Sequence, residues 1–133
     1  FGDPETQVVL PRLRTDLIEI LEAIREERLA ALPIEWAEEA CACVVMASGG
    51  YPAAYRKGLP ITGLDAQGQC ADAEVFHAGT AYRDGRFVTN GGRVLGITAR
   101  GSDVEEALRR AYTAVETIDF ENAHYRRDIG KTR

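Results

Sequence analysis

A chain of 133 residues with 45% hydrophobic content is long enough to bury one domain's core, and its formal net charge of −5 offers no basic footprint for nucleic acid. The 16 basic residues are spread along the sequence, so any anion it binds is expected to be small and met locally. No apolar run approaches the ~18 residues of a membrane span, and no signal-peptide pattern opens the chain, so no membrane partner is expected and the cytoplasm is the expected compartment.

In chain order, Phe1-Gly2-Asp3-Pro4-Glu5-Thr6-Gln7 crowds two carboxylates and an amide into a Gly/Pro turn. Proline fixes the backbone between Asp3 and Glu5, so the two carboxylates could point in defined directions to orient an amine, take its proton or hold a metal. The plainer alternative is an exposed acidic turn whose Glu5 favours the start of a following helix. From Leu10, with Pro11 in the first turn, the apolar residues Leu13, Leu17, Ile20, Leu21 and Ile24 recur at helical spacing. They predict one amphipathic helix ending near Leu32-Pro33.

Ala40 to Ala47 reads as a buried strand, stopped by the loop Ser48-Gly49-Gly50-Tyr51-Pro52. Short antiparallel strands are then expected at Ile61–Leu64, Val75–Ala78, Ala81–Arg83, Arg86–Thr89 and Val94–Thr98, with Asp84-Gly85 a hairpin turn. Ser102-Asp103-Val104-Glu105 has capping-box spacing and opens a second helix running to about Ile118. The tail from Asp119 has no period and should be irregular, held by Phe120 and Tyr125. The odd cysteine count suits a reduced compartment. Cys41 and Cys43 are expected in the core, and Cys70, His77 and His124 are too scattered to form a metal site.

Three further groups could carry chemistry. Gly49 and Gly50 would let backbone N–H groups approach an anion, with Lys57 a nearby cation, though a strand-ending turn and a solvated lysine explain them equally. Arg93 follows two glycines, where its guanidinium could grip a phosphate in bidentate fashion or simply edge a sheet. His77, in His77-Ala78-Gly79-Thr80, reads as a structural histidine, since no nucleophile or orienting carboxylate is fixed beside it.

Together, Phe1–Gln7, Ala47-Ser-Gly-Gly-Tyr-Pro52, Val75-Phe-His-Ala-Gly-Thr80, Thr89-Asn-Gly-Gly-Arg-Val-Leu-Gly96 and Tyr125-Arg-Arg-Asp-Ile-Gly130 resemble, in order, the C-terminal part of the glycinamide ribonucleotide synthetase family. The resemblance implies an α+β fold: the small antiparallel, β-rich C-terminal domain of an ATP-grasp enzyme of rudimentary hybrid-motif type, with an N-terminal amphipathic helix and a second helix near the C-terminus. Residues 1–33 would end the ATP-grasp domain and 34–133 would cover the substrate site.

It further implies that the full-length enzyme uses ATP and magnesium or manganese to join glycine to phosphoribosylamine in purine synthesis. The family's acidic metal ligands fall in a Glu-x-Asn-x-Arg segment that would lie upstream of Phe1. The chain alone is therefore expected to bind no cofactor and to be inactive. Matched residue by residue, Asp3 and Glu5 would position glycine or the attacking amine, and Arg93 would take the ribose 5-phosphate. Gly49, Gly50 and Tyr51 would shape the wall beside it, with Lys57 and Thr80 as further substrate-binding residues. Relatives often carry lysine where Ala81 stands, a loss that Arg83 or Lys57 could offset. The competing expectation is a stand-alone phosphosugar-binding or structural lid module without catalysis.

Overall fold

Alternation in Ala40–Ala47 makes the first strand, β1: Ala42, Val44 and Met46 are buried on one face, while Cys41, Cys43 and Val45 on the other are only half-buried. The computed structural model describes residues 2–131, so Phe1 of the opening motif and residues 132–133 of the tail lie outside the described residues. Four more strands follow, β2 (Glu74–His77), β3 (Thr80–Arg83), β4 (Arg86–Thr89) and β5 (Arg93–Gly101). β5 lies between β1 and β2, antiparallel to both, and β3 pairs with β4 as a separate hairpin. Its turn is the expected one, with Asp84 and Gly85 both at positive φ as a tight hairpin requires.

Among the described residues three α-helices accompany the strands: α1 (Thr6–Val9), α2 (Leu17–Arg25) and α3 (Val104–Val115). α3 buries Ala107, Ala111, Ala114 and Val115 against β1 and β5, and small residues on that stripe let helix and sheet approach closely. Val44, Met46, Val75, Leu95, Ile97 and Phe120 complete the core with it. The tail after α3 is irregular as expected, with Phe120 buried and Tyr125 packed against the core. No helix among the described residues is long and apolar enough to cross a membrane.

Four expectations need correction. The single helix from Leu10 to Leu32 is broken into a 3-10 turn at Leu10–Arg12, an extended Leu13, α2, and a second 3-10 turn at Leu29–Ala31. Thr15 and Asp16 interrupt it, because their side chains accept from the Glu35 and Ile18 N–H groups and compete with helix propagation. α2 then stops in a left-handed cap at Glu27, where Glu27 and Arg28 donate back to the carbonyls of Ile24 and Ala23.

Ile61–Leu64 is not a strand: Pro60 bridges to Val88 and Thr62 to Asp119, but Gly63 turns the backbone between these contacts. At the start of α3 the reciprocal cap is one residue later than expected. Asp103 accepts from the Glu106 N–H, and the Glu106 carboxylate accepts from the Ser102 N–H and hydroxyl. Finally, the three cysteines are free and only half-buried, and Cys41 and Cys43 face away from the core cluster.

Candidate functional site

Because β1 and β2 both run antiparallel to β5, the end of β1, the end of β2 and the start of β5 meet at one end of the sheet. Three glycine-bearing turns therefore converge there. Buried Ser48 donates from its N–H to the Gly92 carbonyl and from its hydroxyl to the Gly91 carbonyl, at 2.8 Å each. Asn90 donates to the Gly79 carbonyl, and Gly79 passes so close to Gly91 that a Cβ built on it would lie 2.6 Å from the Gly91 Cα. Tyr51 lays its ring over Gly92, where a Cβ would meet ring carbons at 2.1 and 2.5 Å, so a side chain there must displace the tyrosine. Gly49 runs against Asn122, and Gly50 turns the chain at φ +95°.

Arg93 opens β5 at the centre of this cluster. Its guanidinium donates to the Asp3 carbonyl at 2.9 Å and pairs with the Asp3 carboxylate at 3.2 Å, and Gln7 donates to the other carboxylate oxygen. Both Arg93 and Asp3 side chains are 41% exposed, which leaves remaining guanidinium donors facing solvent. The acidic turn is held over the site by α1, which rests on β1 and β5. Gln7 approaches Gly96 of β5, and the buried Gln7 Oε1 has no partner among the described residues.

The two carboxylates therefore do different things. Asp3 is committed to Arg93 and Gln7, whereas Glu5 makes no ion pair among the described residues and borders a shallow concavity of about 370 Å³ with Pro4, Val8, Cys43 and Leu108. Thr80 holds its hydroxyl 2.9 Å from His77 Nδ1, and His77 Nε2 is 2.8 Å from the Gly68 carbonyl. A carbonyl only accepts, so Nε2 carries the proton and Nδ1 accepts from Thr80, which leaves His77 structurally occupied. Lys57 is exposed in the segment whose next residue, Gly58, donates to the Thr89 carbonyl. Arg83 faces Arg86 across the far end of the hairpin, and Ala81 faces Val88.

Burial pushes the Cys41 and Cys43 thiols above their ordinary range, which suits inert side chains rather than nucleophiles. Sequence reasoning missed Gln7 as an Asp3 partner, Ser48 as the pin between two glycine turns, and the Asn122–His124 stretch that flanks them. His124 exchanges backbone hydrogen bonds with Ala47, a pairing no local periodicity announces.

Comparison with known proteins gives this end of the sheet a context. A phosphoribosylamine–glycine ligase of Synechocystis is 53% identical over 98% of this chain, which spans 31% of that protein. The trifunctional purine biosynthetic protein adenosine-3 of Gallus gallus is 50% identical over 98% of the chain, 13% of its own length. The crystal structure of a phosphoribosylamine–glycine ligase from Thermotoga maritima superposes with a TM-score of 0.74 at 37% identity, covering 96% of this chain and 31% of that one. The chain thus spans under a third of the ligases it matches. Residues 41–132, which hold all of the strands but Ala40 of β1, together with α3 and all three glycine turns, match the family described as "Phosphoribosylglycinamide synthetase, C domain", and the chain belongs to that family.

Proposed function

We propose that this chain is the C-terminal region of a cytoplasmic ATP-dependent ligase that joins glycine to phosphoribosylamine in purine synthesis, and that Arg93 holds the 5-phosphate of the phosphosugar. The observation that carries the reading is a half-exposed guanidinium standing at the sheet end where three glycine turns meet. The guanidinium stays 41% exposed while paired with Asp3, so its remaining donors can meet two phosphate oxygens at once. Asp3, fixed by Gln7, positions the guanidinium, and Glu5 is the carboxylate available to an amine. Residues 1–33 are read as the end of the ATP-grasp domain and the rest as its substrate-covering partner.

ATP and magnesium or manganese belong to the full-length reaction. Among the described residues no group of three His, Cys, Asp or Glu side chains is arranged to hold a metal, so no step through these groups is assigned to this chain. Its own residues bind and orient the acceptor, and the isolated chain is expected to be inactive.

The test is Arg93→Ala in a full-length ligase carrying this region. A lost hydrogen bond to a charged group is worth about 1.5–3 kcal/mol, so the KM for phosphoribosylamine should rise roughly 10- to 100-fold with the glycine KM little changed. An unchanged phosphoribosylamine KM would reject the phosphate role and favour a purely structural lid.

A further inference from the structure

Cys41 and Cys43 stand two residues apart on β1, on the face turned away from the core, and both are free and half-buried. Both line the hollow of about 370 Å³ bordered by Val8, Val104 and Leu108. Gly96 of the neighbouring β5 leaves space beside them, since a Cβ built there would lie 3.2 Å from the Cys43 Sγ. Cys41 also opens into a second hollow, of about 310 Å³, with Arg12 and Trp36. There Arg12 donates to the Ala37 carbonyl at 3.2 Å, while its buried Nε has no partner among the described residues. Arg100 lies directly across from Cys41 on β5. The two thiols are therefore flanked by two guanidinium groups.

Spacing decides what can join the two sulfurs. Alternate residues of a strand are about 6.7 Å apart, well beyond the ~3.8 Å between the Cβ atoms of a disulfide, so the pair does not close on itself by oxidation. A cation held in line between two sulfurs, at about 2.3 Å from each, spans about 4.6 Å, and thiols leaning toward one another along the strand reach that separation. Zinc asks for four ligands, whereas among the described residues no group of three His, Cys, Asp or Glu side chains is arranged to hold a metal. Thiolate ligands select soft cations such as copper(I). Two thiolates around a monovalent cation leave one net negative charge, which Arg12 and Arg100 face. Burial raises both thiols, and Arg100 and Arg12 oppose it at Cys41. We infer that Cys41 and Cys43 form a two-coordinate site for a monovalent soft cation, copper(I) or its silver(I) analogue. Binding forms two sulfur–metal bonds, breaks two S–H bonds and releases both protons to solvent, with no change in the oxidation state of the cation. A protonated, desolvated thiol is a poor nucleophile, and the cation acts by replacing that proton. The phosphate role of Arg93 does not enter.

The 133-residue chain is titrated with copper(I) under argon, in competition with a chromogenic copper(I) chelator, and with silver(I) in chloride-free buffer by calorimetry. Each cation should load at one ion per chain with two protons released. Losing either thiol turns a chelate into a single attachment, so Cys41→Ser and Cys43→Ser should each weaken both cations about 100-fold or more. Cys70→Ser should bind them as the unmodified chain does. Circular dichroism checks the fold of each variant, and Cys43→Ala replaces Cys43→Ser if the added hydroxyl disturbs the sheet. Unchanged affinity on loss of either thiol, or one ion shared between two chains, would overturn the assignment. Zinc(II) bound as tightly as silver(I) would also overturn it, because a site of higher coordination would then be present.

Discussion

At Gly63 the backbone takes φ of +84°, and an added Cβ would lie 1.9 Å from the Thr117 carbonyl oxygen. Gly85, at φ +76°, has nothing within 4 Å of such an atom. Gly85→Ala should therefore lose only the left-handed conformation, about 1 kcal/mol. Gly63→Ala must also push two backbone segments apart, and should lose about 3 kcal/mol or more by urea denaturation. Equal losses would mean that the loop at Gly63 yields freely. The pair also marks what one residue reveals in sequence. Asp84-Gly85 announces its turn because the hydrogen bonds it needs are local. Gly63 passes for part of a strand, since the carbonyl that excludes a side chain arrives from the end of α3. Glu27 hides the end of α2 for a related reason: its left-handed cap is made without the glycine that usually signals one.

Elements whose causes lie within their own period were legible. β1 follows from a short apolar run stopped by a Gly/Pro loop, the β3–β4 hairpin from its turn, and α3 from an apolar stripe with an acidic start. The N-terminal helix was misread because periodicity runs on through Leu13, while the groups that break it, Glu35 and Trp36, return from beyond α2. At α3 the cap itself can be tested. Hydrogen bonds from the Ser102 N–H and hydroxyl hold the Glu106 carboxyl below its ordinary value of 4.5. A depressed folded-state pKa contributes stability that is fully present above 4.5 and is lost as pH falls through the folded value. Glu106→Gln should therefore lower Tm at neutral pH, and the gap from the unmodified chain should close on acidification below 4.5. A gap independent of pH would show that packing, not the charged cap, is what the glutamate supplies.

Across the whole molecule, the candidate site rests on a topology that no motif states. Placing β5 between β1 and β2 brings turns from the middle of the chain and the Asp3 turn from its start to one end of one sheet. The motifs could be recognised individually, but their convergence depends on non-local pairing. The Asp3–Arg93 contact spans that distance, and its strength decides whether it is a clamp or a setting for a ligand. In the proposed phosphate role Arg93 would have to exchange or share the Asp3 carboxylate, which is feasible only if the pair is weakly coupled. Both side chains are 41% exposed, and solvent-exposed ion pairs contribute about 0–1 kcal/mol. A double-mutant cycle of Asp3→Asn and Arg93→Ala, read by urea unfolding of the 133-residue chain, should return a coupling below about 1 kcal/mol. The carboxylate would then add little to what the Asp3 carbonyl and α1 already hold, leaving the guanidinium able to exchange that partner. A coupling of about 2 kcal/mol or more would make the pair a structural clamp and withdraw Arg93 from the phosphate site.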